Sequence, residues 1–151
     1  MTTTLPITDP VQAAARTAWG EARGEGSRGM QAVLNVIGNR AAHPGWWGHD
    51  VAGVAQHSGL VNDRPVYQFS CWNGSDANRA KLLTVTNADP QFREALVLAG
   101  CLVADHLPDL TGGADHYYDR RGATPYWAKG AFYRCTIGNH AFYRLGLNGK
   151  G

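Results

Sequence analysis

Apolar residues recur at helical spacing in three stretches of this chain. Asp9-Pro10 opens the first, an N-cap followed by a proline at the first helical position. Val11, Ala14, Ala15, Ala18 and Ala22 then fall on one stripe, which predicts a helix to Ala22 with Gly24 as its C-cap glycine. Met30, Val33, Leu34 and Ile37 predict a second helix from near Ser27 to Arg40. Asp89-Pro90 repeats the capping device and opens the third helix, with Phe92, Leu96, Ala99 and Val103 on one face and Pro108 just beyond its end. Between the second and third helices, His43-Pro44-Gly45 reads as a turn and Asp50 as the cap of a short helix reaching Gln56. Val66 to Trp72 reads as one extended aromatic stretch, ended by the turn signal Asn73-Gly74.

Past Thr111-Gly112-Gly113 the helical period disappears. Ala114 to Tyr143 is aromatic and punctuated by glycine, which predicts two or three short antiparallel strands covering one side of the helices. The expected class is α+β, mostly helical with a small antiparallel sheet. Residues 1–8 carry no period and read as a flexible tail, leaving 9–151 as a single domain. A chain of 151 residues can bury one core without disulfide staples.

Composition narrows the function classes. The formal net charge of +2 is far from the dense basic stripe that nucleic acid demands, so no nucleic-acid partner is expected. No apolar run approaches the roughly 20 residues of a membrane span, and the first ten residues lack the basic and apolar regions of a signal peptide. Cys71, Cys101 and Cys135 form no CxxC pair and are odd in number, which argues for a reducing compartment at synthesis. His116 and His140 lie near Asp115 and Asp119, but no HxH, HExxH or Cys/His spacing accompanies them, so neither a metal nor another cofactor is expected. The chain reads as a monomer.

The carboxylates are more informative. Glu occurs only at positions 21, 25 and 94, and Glu94 reads as a solvated position beside Arg93. Glu21 and Glu25 bracket a helix end in Trp19-Gly20-Glu21-Ala22-Arg23-Gly24-Glu25-Gly26. Unpaired carbonyls in the last helical turn disfavour a charged carboxylate there, and Trp19 would add desolvation in the same direction. That is the environment of a general acid. Arg23 and Arg28 offer the plainer alternative, a helix-end salt bridge. Trp46, Trp47, Trp72, Trp127 and Tyr117-Tyr118 are candidate sugar-stacking faces or core residues. Gln68, Ser70 and Asn139 are neutral hydrogen-bonding groups that suit sugar hydroxyls and acetamides, and equally suit turns.

Several of these residues fall into ordered blocks. Glu21-Ala22-Arg23-Gly24-Glu25 with Gly29, Ala32-Val33, Val36 and Asn39-Arg40 resembles the signature of the SleB/CwlJ cell wall hydrolases. Gln68-Phe69-Ser70-Cys71-Trp72, His116-Tyr117-Tyr118 with Pro125-Tyr126-Trp127, and Ile137-Gly138-Asn139-His140-Ala141-Phe142-Tyr143 extend the resemblance in order across residues 12–145. The resemblance implies a lysozyme-like, mostly helical α+β domain. It implies cleavage of the N-acetylmuramic acid–N-acetylglucosamine bond of peptidoglycan glycan strands, with Glu21 as the catalytic acid/base. Members that are lytic transglycosylases need one carboxyl, because the muramyl 6-hydroxyl itself closes a 1,6-anhydro ring. An N-acetylmuramidase would enlist a second carboxylate, here Asp119 or Glu25. Glu25 is otherwise expected to hold the turn or tune Glu21. Tyr118 is a possible accessory, and Gln68, Ser70, Tyr117, Trp127, Asn139 and His140 are candidates for the sugar cleft. The family's secretion signal and wall-binding repeats are not seen here, so the chain resembles a phage or prophage endolysin. Such an enzyme stays in the cytoplasm until a holin opens the membrane. A non-catalytic glycan-binding module and a metal-dependent peptidoglycan amidase are the competing expectations.

Overall fold

The computed structural model describes residues 3–151. Helix α1 (Pro10–Ala22) starts where Asp9 accepts the amides of Val11 and Gln12, and it buries Ala13, Ala14, Ala15, Ala18 and Ala22. Small side chains along that stripe let α2 (Gly26–Ala42) and α5 (Pro90–Val103) approach closely, and these three helices form the main core. Short α3 (Val51–Ala55) is capped by Asp50 as expected, and α4 (Arg79–Thr84) packs beside α1. In α5 the buried face is Phe92, Ala95 and Ala99, while Val103 is exposed because the last turn runs past the core.

Two small antiparallel sheets complete the fold. One is a hairpin of β1 (Ser58–Val61) and β2 (Arg64–Tyr67), joined by Asn62-Asp63 with both residues left-handed, at φ 51° and 63°. The other has the order β3-β5-β4, with β3 His116–Asp119, β4 Tyr133–Ile137 and β5 His140–Tyr143. Tyr117 lies opposite Phe142, and Asp119 opposite His140. Alternation along the strands turns Tyr117 and Phe142 toward the helical core, and Tyr118, Ala141 and Tyr143 toward a second cluster containing Trp127.

Three further expectations are corrected. The N-terminal tail is docked from Thr3 onward: Ile7 is buried and exchanges two hydrogen bonds with the Gln56 side chain, and the Thr3 amide donates to the Leu83 carbonyl. Residues 1–2 of that predicted tail lie outside the described residues. The α1 terminus is not a Gly24 cap: a 3₁₀ turn, Arg23–Glu25, carries the chain on, and the left-handed residue is Gly26, at φ 72°. The extended stretch predicted over 66–72 ends at Tyr67. There the Asn73 side chain accepts the Tyr67 amide and folds Ser70–Trp72 into a 3₁₀ turn.

Candidate functional site

Glu21 sits in the last turn of α1, where the 3₁₀ turn Ser70–Trp72 crosses it. That crossing needs Gly20, since a Cβ there would meet the side chains of Leu82 and Cys71. The close approach brings the Cys71 amide to within 3.0 Å of Glu21 Oε2, to which it donates. From the opposite side, the Tyr117 hydroxyl of β3 donates to Glu21 Oε1 at 2.5 Å. Both donors are neutral. Burial first, and then the charge of Glu21, push the Tyr117 hydroxyl well above its ordinary value. The same two causes push up the Cys71 thiol. Tyr117 therefore stays a hydrogen-bond donor, and Cys71 stays an uncharged thiol rather than a nucleophile.

Glu21 lies in the last helical turn as expected, but the neighbours expected of it, Trp19 and an arginine, are not there. Trp19 faces away: its indole donates to Asp89 and its ring carries the Arg23 guanidinium 4.1 Å from the centroid. Arg23 is spent on Asn78 and the Trp19 carbonyl, so the helix-end salt bridge does not form. Among the described residues the side-chain ion pairs are Asp115–His116, Asp119–Arg121 and Glu25–His140, and none includes Glu21.

Glu21 opens onto a cleft of about 1020 Å³. Of the candidates from sequence, Gln68, Ser70, Tyr117, Tyr118, Trp127 and His140 line it with Glu21. Asn139 does not: its backbone amide donates to Glu25 Oε1 at 2.7 Å, and the residue is exposed outside the cleft. Glu25 does not line the cleft either, because its second oxygen stands 2.5 Å from His140 Nδ1. Trp47 and Trp72 are core residues at 1% exposure, so the stacking faces left are Trp46, Trp127 and Tyr118. His116 and His140 belong to separate carboxylate pairs, and no group of three His, Cys, Asp or Glu side chains converges among the described residues.

Several cleft residues were not among the site candidates, although Arg40 stands in the first motif block. Arg40 is buried beneath Trp46, Trp47 and Phe69, donates to the Asp115 carbonyl and to Gln68, and holds the cleft floor. Burial lowers its pKa to about 10, against the opposing pull of Asp115, and it remains charged at neutral pH. A cation among the apolar positions of α2 was the available signal. Asp76, Asn78 and the loop 145–149 also line the cleft. Asp76 and Asn78 follow the Asn73-Gly74 turn signal, and the loop carries the same signal in Asn148-Gly149.

The fold is a small α+β domain, and its cleft holds the Glu21 carboxyl between uncharged donors. Residues 24–143 match the profile of the Cell Wall Hydrolase family, and the chain belongs to that family of enzymes acting on the bacterial wall. Glu21 lies just before the matched span. Among solved structures, the chain is similar to the catalytic domain of the germination-specific lytic transglycosylase SleB from Bacillus anthracis. That match has 23% identity over 94% of this chain and 100% of the other, with a TM-score of 0.61. It is also similar to the catalytic domain of the Bacillus cereus SleB protein, at 23% identity over 94% and 95%, with a TM-score of 0.57. At this identity the likeness shows the fold, which is α+β as expected. No curated protein matches the chain.

Proposed function

We propose that this enzyme is a lytic transglycosylase that cleaves the bond between N-acetylmuramic acid and N-acetylglucosamine in peptidoglycan. Glu21 protonates the leaving oxygen. Its carboxylate then takes up the proton of the muramyl 6-hydroxyl as that oxygen closes on C1. Trp127 and Tyr118 offer faces for sugar rings, and Gln68 and Ser70 offer neutral hydrogen bonds. The observation that carries this reading is the contrast among the carboxyls. Glu21 is held from two sides by neutral donors in the cleft, whereas Asp119 is clamped by Arg121 at 2.7 Å, Glu25 lies outside, and Asp76 accepts only the local Asn78 amide.

Glu21→Gln keeps the shape and removes the proton. It is expected to lose roughly a thousandfold in the rate of release of muropeptides from purified sacculi. Lysis at the wild-type rate would end this reading. Mass spectrometry of the products tests the outcome: anhydromuramyl ends mark ring closure. Reducing ends would favour the muramidase reading, which Asp76 supports, because it lines the cleft with only a local backbone contact to Asn78. Loss of activity on chelation, with glycan strands intact, would favour an amidase instead.

The same reading has the enzyme wait in the cytoplasm as a phage or prophage endolysin until a holin opens the membrane. Three free thiols suit that reducing compartment. Finding the protein outside the membrane of non-lysing cells would remove this part of the proposal.

A further inference from the structure

The Glu21–Tyr117 hydrogen bond is backed by a second carboxylate that never reaches the cleft. Glu25 sits one turn of chain beyond Glu21, in the 3₁₀ segment Arg23–Glu25. Its Oε1 accepts the Asn139 amide at 2.7 Å, and its Oε2 stands 2.5 Å from His140 Nδ1. Both side chains are largely enclosed, at 13% exposure for Glu25 and 8% for His140. The turn between β4 and β5 is shaped to this carboxylate. Gly138, at φ 58°, leaves room where any Cβ would run into Glu25 Oε1. Beyond His140 the contacts lead to Glu21. The imidazole meets the Tyr117 ring edge to face, with centroids 5.0 Å apart and planes at 86°, and the Tyr117 hydroxyl ends on Glu21 Oε1.

We propose that Glu25 and His140 form a positioning couple: they fix the Tyr117 ring, and through its hydroxyl they hold the Glu21 carboxyl at the orientation that proton transfer requires. The inference rests on Glu21 as the acid of the proposed reaction. A tyrosine ring on a short edge strand can rotate about its Cα–Cβ bond, and its neighbours decide where its hydroxyl points. Tyr117 is flanked by Phe69 and Phe142 at 6.3 and 5.5 Å, with planes tilted by 37° in both cases. Those contacts leave sliding open. His140, pinned by Glu25, meets the same ring edge-on and limits that sliding. The signature's two glutamates thus divide the work: the first meets the substrate and the second orients it from behind.

The test is a set of double-mutant cycles in kcat on purified sacculi, with melting temperatures alongside. His140→Asn keeps an amide near the Nδ1 position for Glu25 but withdraws the ring from Tyr117. Glu25→Ala keeps the imidazole but frees it to move, and Glu25→Gln keeps an oxygen for the Asn139 amide and a polar partner for Nδ1. His140→Asn and Glu25→Ala are expected to lose roughly ten- to a hundredfold in kcat with KM unchanged, the size expected when a catalytic group shifts by about an ångström. Glu25→Gln is expected to restore most of that loss. In a Tyr117→Phe background, which lacks the hydroxyl, neither variant should lower kcat further. Losses that multiply with Tyr117→Phe, or a His140→Asn enzyme with wild-type kcat, would overturn the couple. If Glu25→Ala does not fold, His140→Asn carries the cycle alone. Glu21→Gln is assayed in parallel. An inactive Glu21→Gln with multiplying losses refutes only the couple, whereas an active Glu21→Gln refutes the reaction itself.

Discussion

Two histidines line the cleft, each held by a carboxylate outside it, and the pairs differ in what lies beyond the imidazole. His140 stands between Glu25 and Tyr117, and Tyr117 ends on Glu21. His116 stands between Asp115 and a set of tryptophans: Trp127 at 5.1 Å, Trp47 at 6.2 Å and Trp46 at 6.3 Å between ring centroids. The carboxylates differ as well. Glu25 closes one hairpin turn. Asp115 also accepts the amides of Leu145 and Gly146, at 2.8 and 2.9 Å, and so ties down the C-terminal loop of the cleft. One carboxylate–histidine pair thus backs the proposed acid, and the other backs the aromatic wall of the cleft. A histidine beside a carboxylate in this cleft is not diagnostic of catalysis. The group its ring rests against decides its role.

That division can be broken most forcefully at Asp115. Asp115→Ala leaves the Leu145 and Gly146 amides without their acceptor and frees His116, and we predict a loss of roughly 3 kcal/mol in unfolding free energy. Urea denaturation measures it. A loss below about 1 kcal/mol would mean that the loop holds itself, and that Asp115 is no brace. Next in size is Gly138→Ala. The added methyl displaces the Glu25 carboxylate and carries a left-handed backbone cost of about 1 kcal/mol. The predicted signature is a fall of roughly tenfold in kcat, larger than the modest drop in stability would produce. Unchanged kcat in a folded Gly138→Ala protein would show that Glu25 can leave its place without consequence.

These two pairs also mark where sequence reasoning stopped. Asp9-Pro10 and Asp89-Pro90 open helices as predicted, because a cap and the proline after it act within a single turn. The strands of 114–143 were legible as a loss of helical period. Glu21, Tyr117 and His140 were legible as members of motif blocks. The partners of each were not. Glu25 meets an amide 114 residues away, and Gln56 reaches back 49 residues to dock the N-terminal segment. Separations of that length leave no local pattern. Asn139 shows the cost: its side chain suggested a sugar contact, but its backbone amide serves Glu25. Gly24 failed as a helix stop for a nearer reason, since a single 3₁₀ turn postponed the left-handed residue to Gly26.

The aromatic end yields a gentler prediction. Trp127 packs edge-on against His116, Tyr118 and Tyr143 and keeps part of its surface open to the cleft. If that end binds glycan without taking part in bond breaking, Trp127→Ala should raise KM by about tenfold and leave kcat alone, as expected for loss of one aromatic contact. A fall in kcat equal to the fall in kcat/KM would place Trp127 with the chemistry and erase the division between the two ends.

The smallest effect is expected at Asp119, where the division meets its hardest case. Asp119 lines the cleft and lies opposite His140 in the sheet, so position alone would make it a second catalytic carboxyl. Its bonding argues otherwise. Hydrogen bonds from the Arg121 side chain and amide pull its pKa down to about 2, the charge is already neutralised locally, and both side chains are well exposed, at 38% and 68%. A depressed carboxylate contributes stability above its unfolded pKa of about 3.9 and loses that contribution as pH falls through the folded value. The wild type should thus exceed Asp119→Asn by less than about 1 kcal/mol at neutral pH, after solvent screening, with the difference fading between about pH 4 and pH 2. Its kcat should stay within about threefold of wild type, because surface pairs of this kind add little beyond local order. A hundredfold loss in Asp119→Asn would mean that two carboxyls act on the bond. The products should then carry reducing ends rather than anhydro rings, since the second carboxylate exists to activate water or to hold the sugar covalently.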